Sequence, residues 1–300
     1  MGNMKVAMKL KLANPSTRCR VILALLALAA LPLRATTYQW TNPQGGSWTT
    51  TNWSPSGVPG AGDKAYITTA GTYTVFVTNS SATVLAAALA IGGAGTPTVV
   101  VDNYAAMSIS NCTVAAGGVL VAGNSWMSGA LTVQAGGRLN LAASNDCDIY
   151  SLILTNTGTV TWSSGALICG GTQIYNRGLW QITVNNSTDY GGDAQPVWFN
   201  TGTVFKSGGT GTSWIESFNF LNQPGAVVQA QTGALIVNGG ATNLIGGSWI
   251  VTNSATLERV GSWTDAGGSA SGGGAVQFNS GTLLLRTNII PGLLLSGGNI

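Results

Sequence analysis

From residue 117 onward a short phrase recurs, and its spacing constrains the fold more than any other feature of the chain. A glycine is followed by a small or polar residue and then an aliphatic one, usually leading into an alternating stretch. It reads "GGVLVAG" at Gly117, "GGRLNLA" at Gly136, "NTGTVTW" at Asn156, "NRGLWQI" at Asn176, "NTGTVFK" at Asn200, "QPGAVVQAQ" at Gln223, "NSATLER" at Asn253 and "NSGTLLLR" at Asn279. The residue two before the aliphatic falls at 118, 137, 158, 178, 202, 225, 255 and 281, so the intervals are 19, 21, 20, 24, 23, 30 and 26. A period in the low twenties that tolerates insertions is the signature of a solenoid, whose repeats cannot bury their apolar faces alone and stack on their neighbours.

The residues of the phrase select the kind of solenoid. "GTVTW", "RLNLA", "GALIV" and "GTLLL" alternate or run apolar over three to five residues, which suits strands. Asn-Thr-Gly and Asn-Ser-Gly before them supply residues that accept positive φ at a sharp corner. The expected fold class is all-β: a parallel β-helix solenoid of about 20–25-residue coils, each with three short strands, and right-handed, the hand that strand-crossover-strand connections prefer. Roughly 265 residues at about 22 per coil make roughly 12 coils, on the order of 55 Å of rod at a strand spacing of about 4.8 Å. The composition agrees, with 43 glycines for turns, 7% charged residues and 45% hydrophobic residues, too apolar for disorder. A β-sandwich array is the competing structure, but its strands pair antiparallel without a coil-long recurrence.

The first residues need separate treatment. Lys5, Lys9, Lys11, Arg18 and Arg20 precede the apolar run from Val21 to Leu33, and Ala35 offers a small residue for cleavage. This is the layout of a secretory signal peptide over residues 1–35; an uncleaved membrane anchor is the alternative. With Arg34 the leader holds six of the twelve basic residues and none of the nine acidic ones, so the remainder carries a net charge of −3. No case for nucleic acid survives that balance, and no membrane insertion is expected of the mature segment. The domain reading is a signal peptide at 1–35, an N-terminal cap at 36–67 and β-helix repeats at 68–300. The last residues, "GLLLSGGNI", stop inside an apolar, glycine-rich phrase, and the expectation is that the gene product continues beyond Ile300.

Tyr38 to Ile67, "YQWTNPQGGSWTTTNWSPSGVPGAGDKAYI", holds the pattern G-S-W, N-W, G-x-P, G-x-x-D. It resembles the opening segment of very large secreted proteins from environmental bacteria. The run from Phe199 to Gly240 resembles the β-helical repeats that follow in those proteins, autotransporter-like passengers included. The resemblance implies a secreted or surface-displayed, adhesin-like stalk, and it supplies no catalytic residue. In the solenoid reading, Trp40, Trp48 and Trp53 cover the first open edge of the core, and Asp63 caps the turn into "KAYITTA".

Catalytic chemistry is narrowed by one exclusion: there is no histidine, so Ser-His-Asp triads, Cys-His pairs and histidine metal ligation are all ruled out. No cofactor is expected. Carboxylates remain the alternative, because a polysaccharide lyase or glycoside hydrolase of β-helix type works with acidic clusters and a nearby basic residue. Asp146 and Asp148 share one side of a strand and suit paired acids or Ca²⁺. Asp189 and Asp193 lie in a glycine turn, and Arg138 and Arg177 fall in neighbouring coils. The bland reading is that such aspartates end strands and cap turns. Trp126, Trp162, Trp180, Trp198, Trp214, Trp249 and Trp263 recur about once per coil, which raises a carbohydrate-binding row against core packing. Cys147 and Cys169 fall 10 and 11 residues after their markers, a position that permits a disulfide between adjacent coils. The expected function is therefore a non-catalytic extracellular or cell-surface module, its partner an extracellular glycan or a host or neighbouring cell surface.

Overall fold

A computed structural model describes residues 35–79, 83–216, 218–239, 243–252, 254–286 and 289–300. The leader expected at 1–35 lies, apart from Ala35, outside them. Thr36–Ile300 form one compact unit. Its regular structure is all strand, wound as a β-solenoid of about 10 turns with a coil spacing of about 22 residues. There are fewer turns than length alone suggested, because loop-bearing coils take more chain; Thr188 and Glu216, neighbours in successive turns, lie 28 residues apart.

Each turn contributes to three faces. Face A includes Lys64–Ile67, Ala88–Ile91, Gln173–Asn176, Val197–Asn200 and Asn219–Asn222. Face B includes Thr98–Val101, Val119–Ala122, Leu179–Ile182, Thr203–Lys206 and Val227–Ala230. Face C includes Ser187–Tyr190, Thr212–Glu216 and Ala234–Asn238. Longer strands run round the corners, and Arg138–Asn156 serves B, C and A in turn. Successive coils pair in parallel, as the phrase spacing required. Thr37–Trp40 with Trp53–Ser54 is the one antiparallel pair among the described residues.

Alternation along each strand sends every second side chain into one continuous core. On face B the stacked row Val99, Leu120, Leu139, Val160, Trp180, Val204, Val228 and Trp249 is buried throughout. Such stacking puts like on like at the strand spacing, where apolar side chains gain dispersion contacts as well as burial.

The recurring phrase marks the corner between faces A and B, but for a different reason than positive φ. Asn156, Asn176, Asn200 and Asn222 point inward, fully buried. Each amide donates to the next: Asn156 Nδ2 to Asn176 Oδ1 at 2.8 Å, Asn176 Nδ2 to Asn200 Oδ1 at 2.8 Å, and Asn200 Nδ2 to Asn222 Oδ1 at 2.7 Å. The second hydrogens of the first three go to the carbonyls of Leu179, Thr203 and Val227. The row is a hydrogen-bonded ladder that turns the chain while leaving few buried polar groups unpaired. Gly178 and Gly202 are needed for close approach, since a Cβ would lie 2.4 Å from the Gly158 carbonyl and 2.3 Å from the Gly178 carbonyl. The widened intervals at the end also have a cause. The phrases with markers at Ala255 and Gly281 belong to other corners, leading into Thr256–Asp265 and lying within Ala275–Leu284. At the A–B corner their place is taken by Gly247 and Gly268, before Ser248–Val251 and Ser269–Gly272.

Two cations interrupt the aliphatic rows. Lys206 follows Trp162 and Ile182 into the core of face B. Its Nζ donates to the Gly208 carbonyl at 2.9 Å, Ser213 Oγ at 2.9 Å, Asn185 Oδ1 at 3.2 Å and the Val184 carbonyl at 3.4 Å. Arg259 follows Ile215 and Val237 on face C, fully buried, and none of its guanidinium nitrogens has a hydrogen-bond partner. Its one compensation is the Trp249 ring, 4.5 Å from the guanidinium carbon.

The two ends differ. At the first, Trp53–Ser54 lies along the outer edge of Thr37–Trp40, and Trp53 meets Trp40 at 5.1 Å and Trp48 at 4.8 Å, edge to face. All three indoles are buried. Asp63 holds this segment, accepting from the Thr36 N–H at 2.8 Å and the Gly60 N–H at 2.9 Å. The final coil instead leaves Leu284, Ile289, Leu294 and Leu295 more than half exposed.

Candidate functional site on face C

Asp146 and Asp148 lie on the outer side of face C, at alternate positions of one strand. Register then sets the row: Trp126 beside Asp148, Asp148 beside Ile168, Ile168 beside Asp189. The pairing of Thr188 with Ile215 continues it, bringing Asp189 alongside Glu216. Asp193 sits in the following turn at φ 62°, its carbonyl accepting from the Tyr190 hydroxyl. Tyr150 lies over the next two coils, where a Cβ on Gly191 would meet its hydroxyl at 2.3 Å. Three of the four aspartates singled out in the sequence thus share one face, and Asp193 lies in the turn that leaves it. Glu216 joins them, and the sequence reading missed it because the insertion between Tyr190 and Thr212 hides its place in the period.

Charge and burial act together in this row. Partial burial raises the pKa of the Asp148 carboxyl, a hydrogen bond from Trp126 opposes the rise, and the Asp146 charge adds to it. Burial raises that of Glu216 too, helped by the neighbouring Asp189 charge and opposed by a hydrogen bond from Asn238. Tyr150 is raised by burial and then by the charges of Asp148 and Asp193. Within the row, Asp148 and Glu216 hold their protons more tightly than ordinary carboxylates. Among the described residues no three His, Cys, Asp or Glu side chains group as a metal site. Asp146 instead accepts from the Asn145 amide at 2.9 Å.

The basic residues considered as partners are elsewhere. Arg138 opens a face B strand, and Arg177 stands at the A–B corner. The tryptophans do not form an outward row either: Trp162, Trp180, Trp198, Trp249 and Trp263 are buried, and of those seven only Trp126 and Trp214 point outward. The offset between Trp162 and Trp180 is the spacing of two inward positions on one strand. Cys112, Cys147 and Cys169 are buried free thiols. Cys147 stands opposite Leu167, and Cys169 opposite Ile149. A register shift between Leu141 and Asp146 accounts for this, since it removes a residue from the apparent equivalence. Burial pushes the Cys147 thiol up to about 12, which leaves it unreactive at neutral pH. No family model, curated protein or solved structure matches the chain.

Proposed function

We propose that the chain is a non-catalytic β-solenoid module of the cell exterior, a stiff spacer whose task is to hold its ends apart and present its outer faces. The observation that carries this reading is the use made of its reactive and aromatic side chains. Three thiols, eight of the ten tryptophans and a four-residue asparagine ladder are all buried, where they stabilise coil stacking. The leader-like sequence at 1–35 supports an exported chain. The acids of face C lie on an open sheet surface with Arg138 and Arg177 elsewhere, an arrangement suited to solubility. The test has two parts, surface labelling of the intact producing cell and an assay of the purified chain on a panel of polysaccharides. The expected results are surface exposure and no release of new chain ends. Cleavage that disappears in Asp148→Asn or Asp189→Asn would establish a carboxylate enzyme instead.

A further inference from the structure

A second outer surface, away from the face C acids, carries a coil-to-coil ring stack flanked by a row of polar side chains. Tyr175 and Phe199 project from face A in neighbouring coils, half-buried, their rings parallel within 4° and 5.0 Å apart. Beside them, at the A–B corner, Arg177, Thr201 and Gln223 occupy equivalent places in three successive coils, since their N–H groups donate to the carbonyls of Asn156, Asn176 and Asn200. The two rows enclose a groove of about 390 Å³ lined by Tyr175, Arg177, Phe199, Thr201 and Gln223. Leu221 extends the apolar row beside Phe199. Each coil therefore offers one apolar contact and one polar contact, Tyr175 with Arg177, Phe199 with Thr201, Leu221 with Gln223, repeated at about the 4.8 Å strand spacing.

We infer that this groove binds a linear, carboxylate-bearing polysaccharide laid along the solenoid axis. A ligand that matches a repeating apolar-plus-polar pair is itself a polymer of amphipathic units, and pyranose rings present C–H faces to aromatic surfaces and hydroxyls to amide and hydroxyl groups. The charge selects the acidic kind. The only ionisable charge in the groove is the exposed Arg177, which has no carboxylate partner among the described residues. Its planar fork suits a carboxylate. A nucleic acid needs a run of cations to neutralise successive phosphates, and the groove offers one.

This site goes beyond the spacer reading and is tested separately, because a spacer without glycan affinity remains a spacer. The experiment is calorimetric titration of the full chain with oligogalacturonate and with a neutral β-glucan oligomer of equal length. Saturable binding of the uronate oligomer is expected, weaker at high salt and about tenfold weaker in Arg177→Gln, a loss of about 1.4 kcal/mol. Tyr175→Ala combined with Phe199→Ala is expected to abolish binding, with melting curves confirming the fold. If that double variant does not fold, Arg177→Gln, an exposed change, still decides the matter. Absence of saturable binding, equal affinity for both oligomers, or affinity unmoved in Arg177→Gln would each overturn the assignment.

Discussion

Lys206 and Arg259 are both cations inside an apolar solenoid, and their partners give them opposite energetic signs. Lys206 is surrounded by four acceptors, so Lys206→Met leaves buried oxygens unpaired and is expected to cost about 2–4 kcal/mol in urea unfolding. Arg259 has an aromatic face and no acceptor. Arg259→Met removes an uncompensated buried charge and is expected to stabilise the fold by about 1–3 kcal/mol, the lost cation–π contact included. The pH dependence provides a check. Burial lowers the Arg259 pKa to about 9, so above that value the unfolded chain binds more protons and native stability rises with pH. The advantage of Arg259→Met therefore shrinks as pH rises through about 9. Glu216 on face C follows the complementary rule. The pKa of Glu216 is raised in the folded chain, so its contribution is most favourable at acid pH and is lost as pH rises through its folded pKa. Glu216→Gln is expected to raise the melting temperature at neutral pH and to leave it unchanged in acid. Lys206 was legible in principle, since "GTVFK" carries it at the place Trp162 holds in "GTVTW". Arg259 was not, because its phrase had moved to another corner.

At the scale of the element, the asparagine ladder explains why one corner kept its phrase while others did not. Ile91, Val114 and Val133 occupy the same inward row in the coils before Asn156, paired strand to strand with no hydrogen bonding between side chains. An apolar row and an amide row are each self-consistent, and the expensive arrangement is a break within the amide row. Asn176→Val strands an amide hydrogen of Asn156, the Asn200 oxygen and the Thr203 carbonyl. It is expected to cost about 2–4 kcal/mol in urea unfolding. Adding Asn156→Val is not expected to recover that loss, because it removes one stranded amide hydrogen but leaves the Leu179 carbonyl without its donor. The sequence displayed three of these positions as Asn-Thr-Gly or Asn-Arg-Gly. It did not display their reason, because inward stacking and positive φ favour the same two residues, and only the register separates them.

For the whole molecule, the parallel wind and the coil length were readable from the period, while the turn count and the face of each acid were not. Both depend on which corner an insertion enters, and the period averages over that. A consequence of stacking is that the solenoid accepts the loss of whole coils. Asn176 and Asn200 are equivalent and 24 residues apart, so deleting residues 177–200 joins Asn176 to Thr201, which follows its own asparagine as Arg177 follows Asn176. Every inward row then loses one member and closes on the next, with Asn176 donating to Asn222 as it had to Asn200. Deleting 177–188 instead removes half a coil, sending later face C residues back onto face B, with Glu216 falling at the inward place of Val204. Because nearest-neighbour contacts carry most of the stability of a solenoid, the whole-coil deletion is expected to melt cooperatively with strand-rich circular dichroism. Its radius of gyration by X-ray scattering should be smaller than that of the parent, in keeping with one coil spacing of about 4.8 Å removed. The half-coil deletion is expected to give insoluble or unfolded protein. Equal tolerance of the two deletions would mean that coil register does not govern this fold.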